Sequence, residues 1–445
     1  MNIRKSLLLL IYDIRDIPYG KYYHKYSFEF QNGIPPDTTR RQLAQLLQHC
    51  KLKVPYYSKI IEEKGLTFSN NPFEDLKHFP ILTRDILRSQ FDNLKSIDLH
   101  SRKWYINNTG GSTGVPVQFI QDLEYSAKSG AIKALFSKLV GKEIGERELR
   151  FWGNINDIER NAEGWRARVI NKLINITFKN TQLMTPVKMR EFVSILNTSN
   201  SKLIVSYAQA IYELAKFAER EEIHVEPQSA IMTSATKLYP FMREKIEKVF
   251  QCPVYDRYGS REVGDIACER PEFDGLWVAP WGNYIEIVDA DGNRVTDGTE
   301  GDILVTSLNN YAMPLIRYKI GDRGLVITSS HSPMNKYGQV LREVIGRTMD
   351  LFITKEGNRI LSGFFMANLA YRDWIGQFQV IQKSYLNVLY KIVKLYDPKQ
   401  SELDEITDIT KKAMGNDCQV NFEFVDEILP TASGKYKFLI SEIQQ

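Results

Sequence analysis

The chain has four cysteines in 445 residues, Cys50, Cys252, Cys268 and Cys418. They are widely scattered, with no Cys-x-x-Cys pair, which argues against a disulfide framework and a zinc knuckle and fits a reducing, cytoplasmic setting. Proline (17) and glycine (27) are too sparse for a collagen-like or low-complexity chain. Blocks of like charge are lacking as well. The 58 Lys and Arg against 54 Asp and Glu leave a formal charge of +4, spread along the chain, so there is no basic footprint for nucleic acid. Nor is there a long apolar run. Leu7 to Ile11 follows Arg4 and Lys5 but meets Asp13, Arg15 and Asp16 at once, and no small-residue cleavage site follows. It is too short to span a bilayer and unlike a signal peptide, so an amphipathic first helix packed on the body is expected, with no integral membrane contact.

What remains is the composition of a soluble globular protein, 43% hydrophobic and 25% charged, long enough for two or three domains. Residues 1 to about 100 read mostly as helices, with an apolar i, i+3, i+4 stripe through Leu43, Leu46 and Leu47. From about 100 to 260 short apolar runs alternate with helical stretches: Leu203-Ile204-Val205 before a helix near 208–220, Ala230-Ile231-Met232 before one near 239–250, then Val254-Tyr255. Such alternation predicts parallel strands with crossover helices. After Gly275 the pattern turns to strands, Tyr284 to Val288, the turn Asp291-Gly292-Asn293, and Gly301 to Thr306, which predicts a hairpin-rich barrel or sheet. The tail from Asp350 carries Phe378 to Ile381, Leu389 to Val393, a helix at 401–414 and a strand at 419–425, a βαβ-like pattern suited to a small lid domain. The expected fold is therefore α/β, a large domain over 1–349 and a small α+β domain over 350–445.

Five short stretches carry chemistry. Thr109-Gly110-Gly111-Ser112-Thr113-Gly114 combines glycines, which let backbone N–H groups turn inward, with hydroxyl donors, a composition suited to phosphate oxygens; it is neither a Walker A loop nor GxGxxG, and a hairpin between two strands is the bland alternative. In Tyr258-Gly259-Ser260-Arg261-Glu262 an aromatic before glycine can lay its ring on a flat base, and Glu262 can reach a magnesium ion on phosphates; a strand end with a solvated Arg/Glu pair is the alternative. Arg317-Tyr318-Lys319-Ile320-Gly321-Asp322 puts a carboxylate at a glycine turn, an acceptor for ribose hydroxyls or an ordinary hairpin. Gly346-Arg347-Thr348-Met349-Asp350 fits an interdomain hinge, and Lys435 follows glycine on a loop near the C-terminus, where a lysine is more often solvated than catalytic.

In order and spacing the five stretches together resemble the adenylate-forming (acyl-AMP) enzymes, and within them the phenylacetate–CoA ligase-like branch that includes capsular polysaccharide biosynthesis proteins. The resemblance extends to Asn71-Pro72-Phe73-Glu74-Asp75-Leu76, to Phe79-Pro80-Ile81-Leu82-Thr83, and to Ser234-Ala235-Thr236-Lys237-Leu238, where relatives often carry Ser-Ala-Glu-Pro beside the adenine. It implies a phosphate loop at Thr109 to Gly114, an adenine shelf at Tyr258 and Gly259 with Ser260, Ala235 and Thr236 beside it, and a magnesium carboxylate in Glu262. It further implies a ribose ligand in Asp322, Arg347 near the nucleotide, a hinge at Met349 and Asp350, and in Lys435 the lysine that bridges acyl carboxylate and phosphate. Catalysis would then rest on Glu262 and Lys435, with ATP and Mg²⁺ as cofactors.

Departures from the pattern are informative. Val117 stands where many relatives carry Lys, and Arg261 where the wider superfamily prefers Thr. The Cys, His and Cys-x-Cys set of many branch members is reduced to Cys268, with Trp277 for His and Ser332-Pro333-Met334-Asn335 near the expected Cys-x-Cys. One thiolate cannot make a tetrahedral site, so no zinc is expected. The resemblance implies an ATP-dependent carboxylate ligase that passes its acyl group to an amine or thiol, a sugar precursor, a carrier or coenzyme A, with the capsule-type relatives favouring surface polysaccharide. No Cys, His or basic cluster marks a coenzyme A pocket. The alternatives are an acyl-CoA ligase and, in another class, a non-catalytic nucleotide-binding protein. The acyl pocket is expected between the adenine shelf and Trp152-Gly153-Asn154 and Ser206-Tyr207.

Overall fold

The computed structural model describes residues 2–109, 117–152, 170, 172–181, 184–270, 274–327, 338–347, 351–369, 372–429 and 437–443. A hairpin of β1 (Trp104–Asn108) and β2 (Gln118–Asp122) flanks the glycine-rich stretch, with Asn108 opposite Gln118. The next strands, β3 (Glu148–Trp152), β4 (Ile176–Asn180), β5 (Leu203–Tyr207), β6 (Ile231–Ser234) and β7 (Val254–Ser260), are parallel in the order β7-β6-β5-β3-β4. The helices Pro186–Ser199, Ala208–Arg220 and Pro240–Phe250 cross between them, as the alternation predicts. Strand periodicity sorts the side chains. Leu203 and Val205 point toward the helix Leu123–Leu139 and its buried Ile132 and Phe136, whereas Ile204 meets the crossover helices through Ile211 and Ile246.

The chain then turns antiparallel. Strands β8 (Gly264–Glu269), β9 (Leu276–Val278), β10 (Asn283–Val288), β11 (Gly301–Ser307), β12 (Tyr318–Ile327) and β13 (Val340–Arg347) continue the same sheet in the order β7-β8-β9-β13-β12-β11-β10. The expected hairpin-rich region is thus the antiparallel half of one eleven-stranded sheet. β7 joins the halves: Val254 to Asp256 pair with β6, and Arg257 to Ser260 pair with β8. Beyond it lie a short hairpin of β14 (Leu351–Ile353) and β15 (Arg359–Leu361), then β16 (Ile375–Ser384), β17 (Asn387–Lys394), β18 (Gln419–Phe424) and β19 (Leu439–Ser441) in a separate four-stranded sheet of order β18-β17-β16-β19. The helix Gln400–Met414 connects the parallel pair β17 and β18, which is the expected βαβ unit.

The helices Thr38–Lys53 and Pro55–Glu63 bury Leu43, Leu46, Leu47 and Tyr57 against the antiparallel half. The first helix, Ile3–Ile14, packs on the body through the buried Leu8 and the half-buried Tyr12, with Lys5 paired to Glu143, while Ile3, Leu7, Leu10 and Ile14 are exposed. No helix among the described residues is long and apolar enough to cross a membrane.

A charged network is buried at the start of β3. Glu148 pairs with both Lys142 and Arg150. Burial alone would raise the Glu148 carboxyl, but the charges of Arg150 and Lys142 outweigh it and hold it at about 2. A depressed carboxyl contributes stability that is present above its ordinary pKa of about 4.3 and lost as pH falls toward the folded value. Glu148→Gln is therefore expected to unfold at lower urea than wild type at neutral pH, with the deficit shrinking as the pH is lowered from about 4.5 toward 2. A deficit independent of pH in that window would contradict the assignment.

Candidate active site

The strand arrangement makes a crevice before any side chain is considered. β6 ends at Ser234, Ala235 turns away with φ of 70°, and Tyr258 to Ser260 at the end of β7 therefore lose their parallel neighbour and pair only with β8. Ligands of open α/β sheets bind beyond the carboxyl ends of the parallel strands, and here the end of β7 is opened by its change of partner from β6 to β8.

Three stretches distant in sequence meet there. Tyr258 Oη donates to Asp322 Oδ2 at 2.8 Å, and Tyr318 Oη donates to Glu262 Oε1 at 3.0 Å. Asp322 and Arg347 are cross-strand partners in β12 and β13, so the register brings Arg347 to the same place. A side chain at Gly259 would put its Cβ 2.6 Å from Gly264 O, so only glycine fits where β7 closes on the start of β8. Among the described residues Ser260 Oγ and Thr236 Oγ1 are buried without a hydrogen-bond partner, which marks them as groups a bound molecule can satisfy. Lys237 Nζ donates to Glu343 Oε1 at 2.8 Å, tying the segment after β6 to β13.

The hairpin joins this centre through its ends. Thr109 Oγ1 accepts from Val117 N at 2.9 Å, and Thr109 N donates to Val117 O at 3.0 Å. Val117 itself is 1% exposed and packs in the core, so the position where relatives carry Lys is turned away from ligand. Arg261 Nη1 donates to Asn108 O at 3.4 Å, and Gln121 Nε2 donates to Arg261 O at 3.0 Å, so the departure at Arg261 ties the hairpin to the β7–β8 turn. Gly110 to Gly114, Met349 and Asp350 of the expected hinge, Gly153 and Asn154, and Lys435 lie outside the described residues.

Two participants were not evident in the sequence. Arg84 stands 3.9 Å from Glu262 and donates to Ile320 O at 3.3 Å, and Gln121 holds the turn that carries Glu262. The signal for Arg84 was adjacent, in Pro80 to Thr83: Leu82 bridges to Tyr318, which delivers the following helix, Arg84–Ser89, to the site. At the reduced zinc set, Cys268 is the cross-strand partner of Trp277, whose buried indole packs among Phe30, Phe136 and Trp281. No group of three or more metal-ligating side chains occurs among the described residues.

A cavity of about 610 Å³ opens beside the crevice, lined by Tyr207, Glu213 and Thr236 on one side and by Gly376, Asp426 and Leu429 of the C-terminal sheet region on the other. Lys216 Nζ crosses it to donate to Gly376 O at 2.6 Å. The expected acyl-pocket walls Trp152 and Tyr207 place their rings 4.6 Å apart at the ends of β3 and β5.

Residues 352–442 match the CapK C-terminal domain. Over 425 residues, 94% of this chain and 90% of the relative, the sequence is 24% identical to Protein CapK of Staphylococcus aureus. It is 22% identical over 70% of each chain to the phenylacetate-coenzyme A ligase of Aromatoleum evansii. Among solved structures, 2-hydroxyisobutyryl-CoA ligase in the postadenylation state with 2-HIB-AMP superposes with a TM-score of 0.71, at 18% identity over 92% of this chain and 91% of that one. The same enzyme in the thioesterification state, over 92% and 91% of the two chains and again at 18% identity, gives 0.56. The chain has the fold of the adenylate-forming coenzyme A ligases, is similar along most of its length to CapK, and carries at its end a match to the CapK C-terminal domain.

Proposed function

We propose that this protein is an AMP-forming carboxylate ligase: it activates a carboxylic acid with ATP as an acyl-adenylate, releases pyrophosphate, and passes the acyl group to an amine or thiol acceptor. The observation that supports it most is the pair of hydrogen bonds Tyr258 to Asp322 and Tyr318 to Glu262, which gathers an aromatic shelf and two carboxylates where β7 leaves β6 for β8. A carboxylate is a poor acyl donor because its oxygen leaves badly. Attack on the α-phosphate replaces that oxygen with a phosphate, and the work left to the protein is positioning and charge stabilisation.

The residues divide that work. Tyr258 and Gly259 hold the base, Asp322 accepts from ribose hydroxyls, and the hydroxyls and amides from Thr109 to Gly114 take the phosphates. Glu262 is a hard oxygen donor, buried and oriented by Tyr318, which fits a magnesium ion shared with phosphates. That ion, when bound, neutralises charge on the phosphates. Lys435, on the small domain proposed to span 350–445 and to turn about Met349 and Asp350, pairs with the acyl carboxylate and the α-phosphate.

The overall likeness to CapK supports an acceptor in surface polysaccharide assembly, in the cytoplasm. A second reading, acyl-CoA synthesis, is favoured by the likeness to 2-hydroxyisobutyryl-CoA ligase. Pyrophosphate release from ATP, screened over carboxylic and amino acids, tests the first step: no acid-dependent release would defeat it. Adding coenzyme A then separates the acceptors, because saturable acyl-CoA formation selects the second reading. Asp322→Ala is expected to weaken ATP binding at least tenfold, about 1.4 kcal/mol, since its contacts exist in the ground state. Unchanged affinity by calorimetry would remove Asp322 from the ribose.

A further inference from the structure

Below the crevice, on the sheet face covered by the helix Leu123–Leu139, the charges do not balance. Arg257 Nη1 pairs with Asp265 at 3.2 Å, and Glu148 serves both Lys142 and Arg150. These pairs leave Lys133 over. It lies on the helical stripe of Tyr125 and Ser129, two residues that close on Gly264, where an added Cβ would meet Ser129 Oγ at 2.5 Å and Tyr125 Oη at 3.0 Å. One turn further on, Lys133 feels the charges of Arg150, Asp265, Arg257 and Glu148, yet among the described residues its amine has no hydrogen-bond or ion-pair partner. Arg257 Nε is buried without a partner among the described residues. Lys142 and Arg257, which are buried, and Lys133 and Arg150, which are half-buried, thus share two carboxylates. The guanidinium of Arg150 first, and burial second, push the Lys133 ammonium down to about 8.

A structural role would need no such surplus, because a half-buried ammonium set among like charges with no carboxylate of its own is costly to keep charged. Its position suggests what offsets it. Arg257 immediately precedes the Tyr258 shelf, and Arg150 precedes the pocket wall Trp152 by two residues, roughly 7 Å along a strand. An acid whose reacting carboxylate sits at the strand ends, and whose body extends down this face, brings its far end to these cations.

We propose that the carboxylic acid taken by this protein carries a second anionic group, received by Lys133 together with Arg257 and Arg150. The proposal rests on the ligase reading for the first carboxylate and adds the substrate class. A site that pairs a buried charge rejects analogues lacking the partner far more strongly than an apolar pocket rejects a missing methylene.

The test is calorimetric binding, with α,β-methylene-ATP and Mg²⁺ present, of the α,ω-dicarboxylates from malonate to adipate, each against its own monoamide and the phosphonocarboxylate of equal length. At least one dianion is expected to bind tenfold or more tighter than its monoamide. That ratio should fall to about one in Lys133→Met and recover in Lys133→Arg, with nucleotide affinity the same in all three proteins. The carboxylate and phosphonate arms identify the anion. Equal binding of diacid and monoamide, no binding of any dianion, or a ratio untouched by Lys133→Met would overturn the proposal. Pyrophosphate exchange is scored separately: exchange driven only by neutral acids keeps the ligase reading and sinks this one, whereas selective dianion binding without exchange does the reverse.

Discussion

Replacing Lys435 by Ala is expected to cut carboxylate-dependent pyrophosphate exchange at least a hundredfold, on the order of 3 kcal/mol, and to leave ATP affinity within about threefold. The split follows from where the lysine is carried. Lys437 and Phe438, two and three residues on, are fastened to β16, with Gln379 Nε2 donating to Lys437 O at 2.8 Å and Val380 N to Phe438 O at 2.7 Å. On the other flank Ile428 and Leu429 line the cavity beside Thr236. The groups proposed to hold the nucleotide, by contrast, sit on β7, β12 and the β1–β2 hairpin. An ammonium delivered from the other sheet contributes mainly when charge develops in the transition state, so kcat should fall while the ground-state complex persists. Wild-type exchange in the variant would reject the role of Lys435. A parallel collapse of ATP binding would instead place it among the ground-state ligands.

Sequence periodicity carried much of the fold. The helix Ala208–Arg220 and the strands β5, β6 and β10 follow from local pattern, because each buries a face whose spacing is written in adjacent residues. The union of parallel and antiparallel halves into one sheet was not legible. It depends on β7 changing partners midway, a pairing between residues far apart in sequence that no local period encodes. The site shows the same division. Tyr258, Glu262 and Asp322 stood out because glycine turns flank them, and the structure brings all three to one crevice. Arg84 and Gln121 act by reaching across elements, and their surroundings in sequence are unremarkable. Lys133, in Gly130-Ala131-Ile132-Lys133-Ala134-Leu135-Phe136, is a single charge among apolar and small residues, a pattern equally natural for the edge of a helix face.

Arg317→Met is expected to destabilise the protein by about 3–5 kcal/mol, the usual cost of removing one partner of a buried ion pair. Arg317 is 6% exposed and holds a left-handed backbone with φ of 49°, at the step into β12. Its guanidinium binds Glu286 Oε2 at 3.2 Å, Phe79 O at 3.0 Å and Gly292 O at 2.9 Å, while its own carbonyl accepts from Leu82 N at 3.1 Å. One side chain thus locks β10, the turn after it and the N-terminal helical region to the strand that presents Tyr318 and Asp322. Lys at this position keeps the charge but has no planar fork to serve three directions, so Arg317→Lys should recover only part of the loss. The pH dependence gives a second reading. Burial already raises the Glu286 carboxyl, with Arg317 opposing it. Without the guanidinium the carboxyl rises further, so protonation relieves the unpaired charge, and the deficit of Arg317→Met should shrink as the pH falls below neutrality. Urea unfolding at pH 7 and pH 5 checks both: a loss under about 1 kcal/mol, or a deficit that grows toward acid, would show that the Arg317–Glu286 pair does not hold the strand.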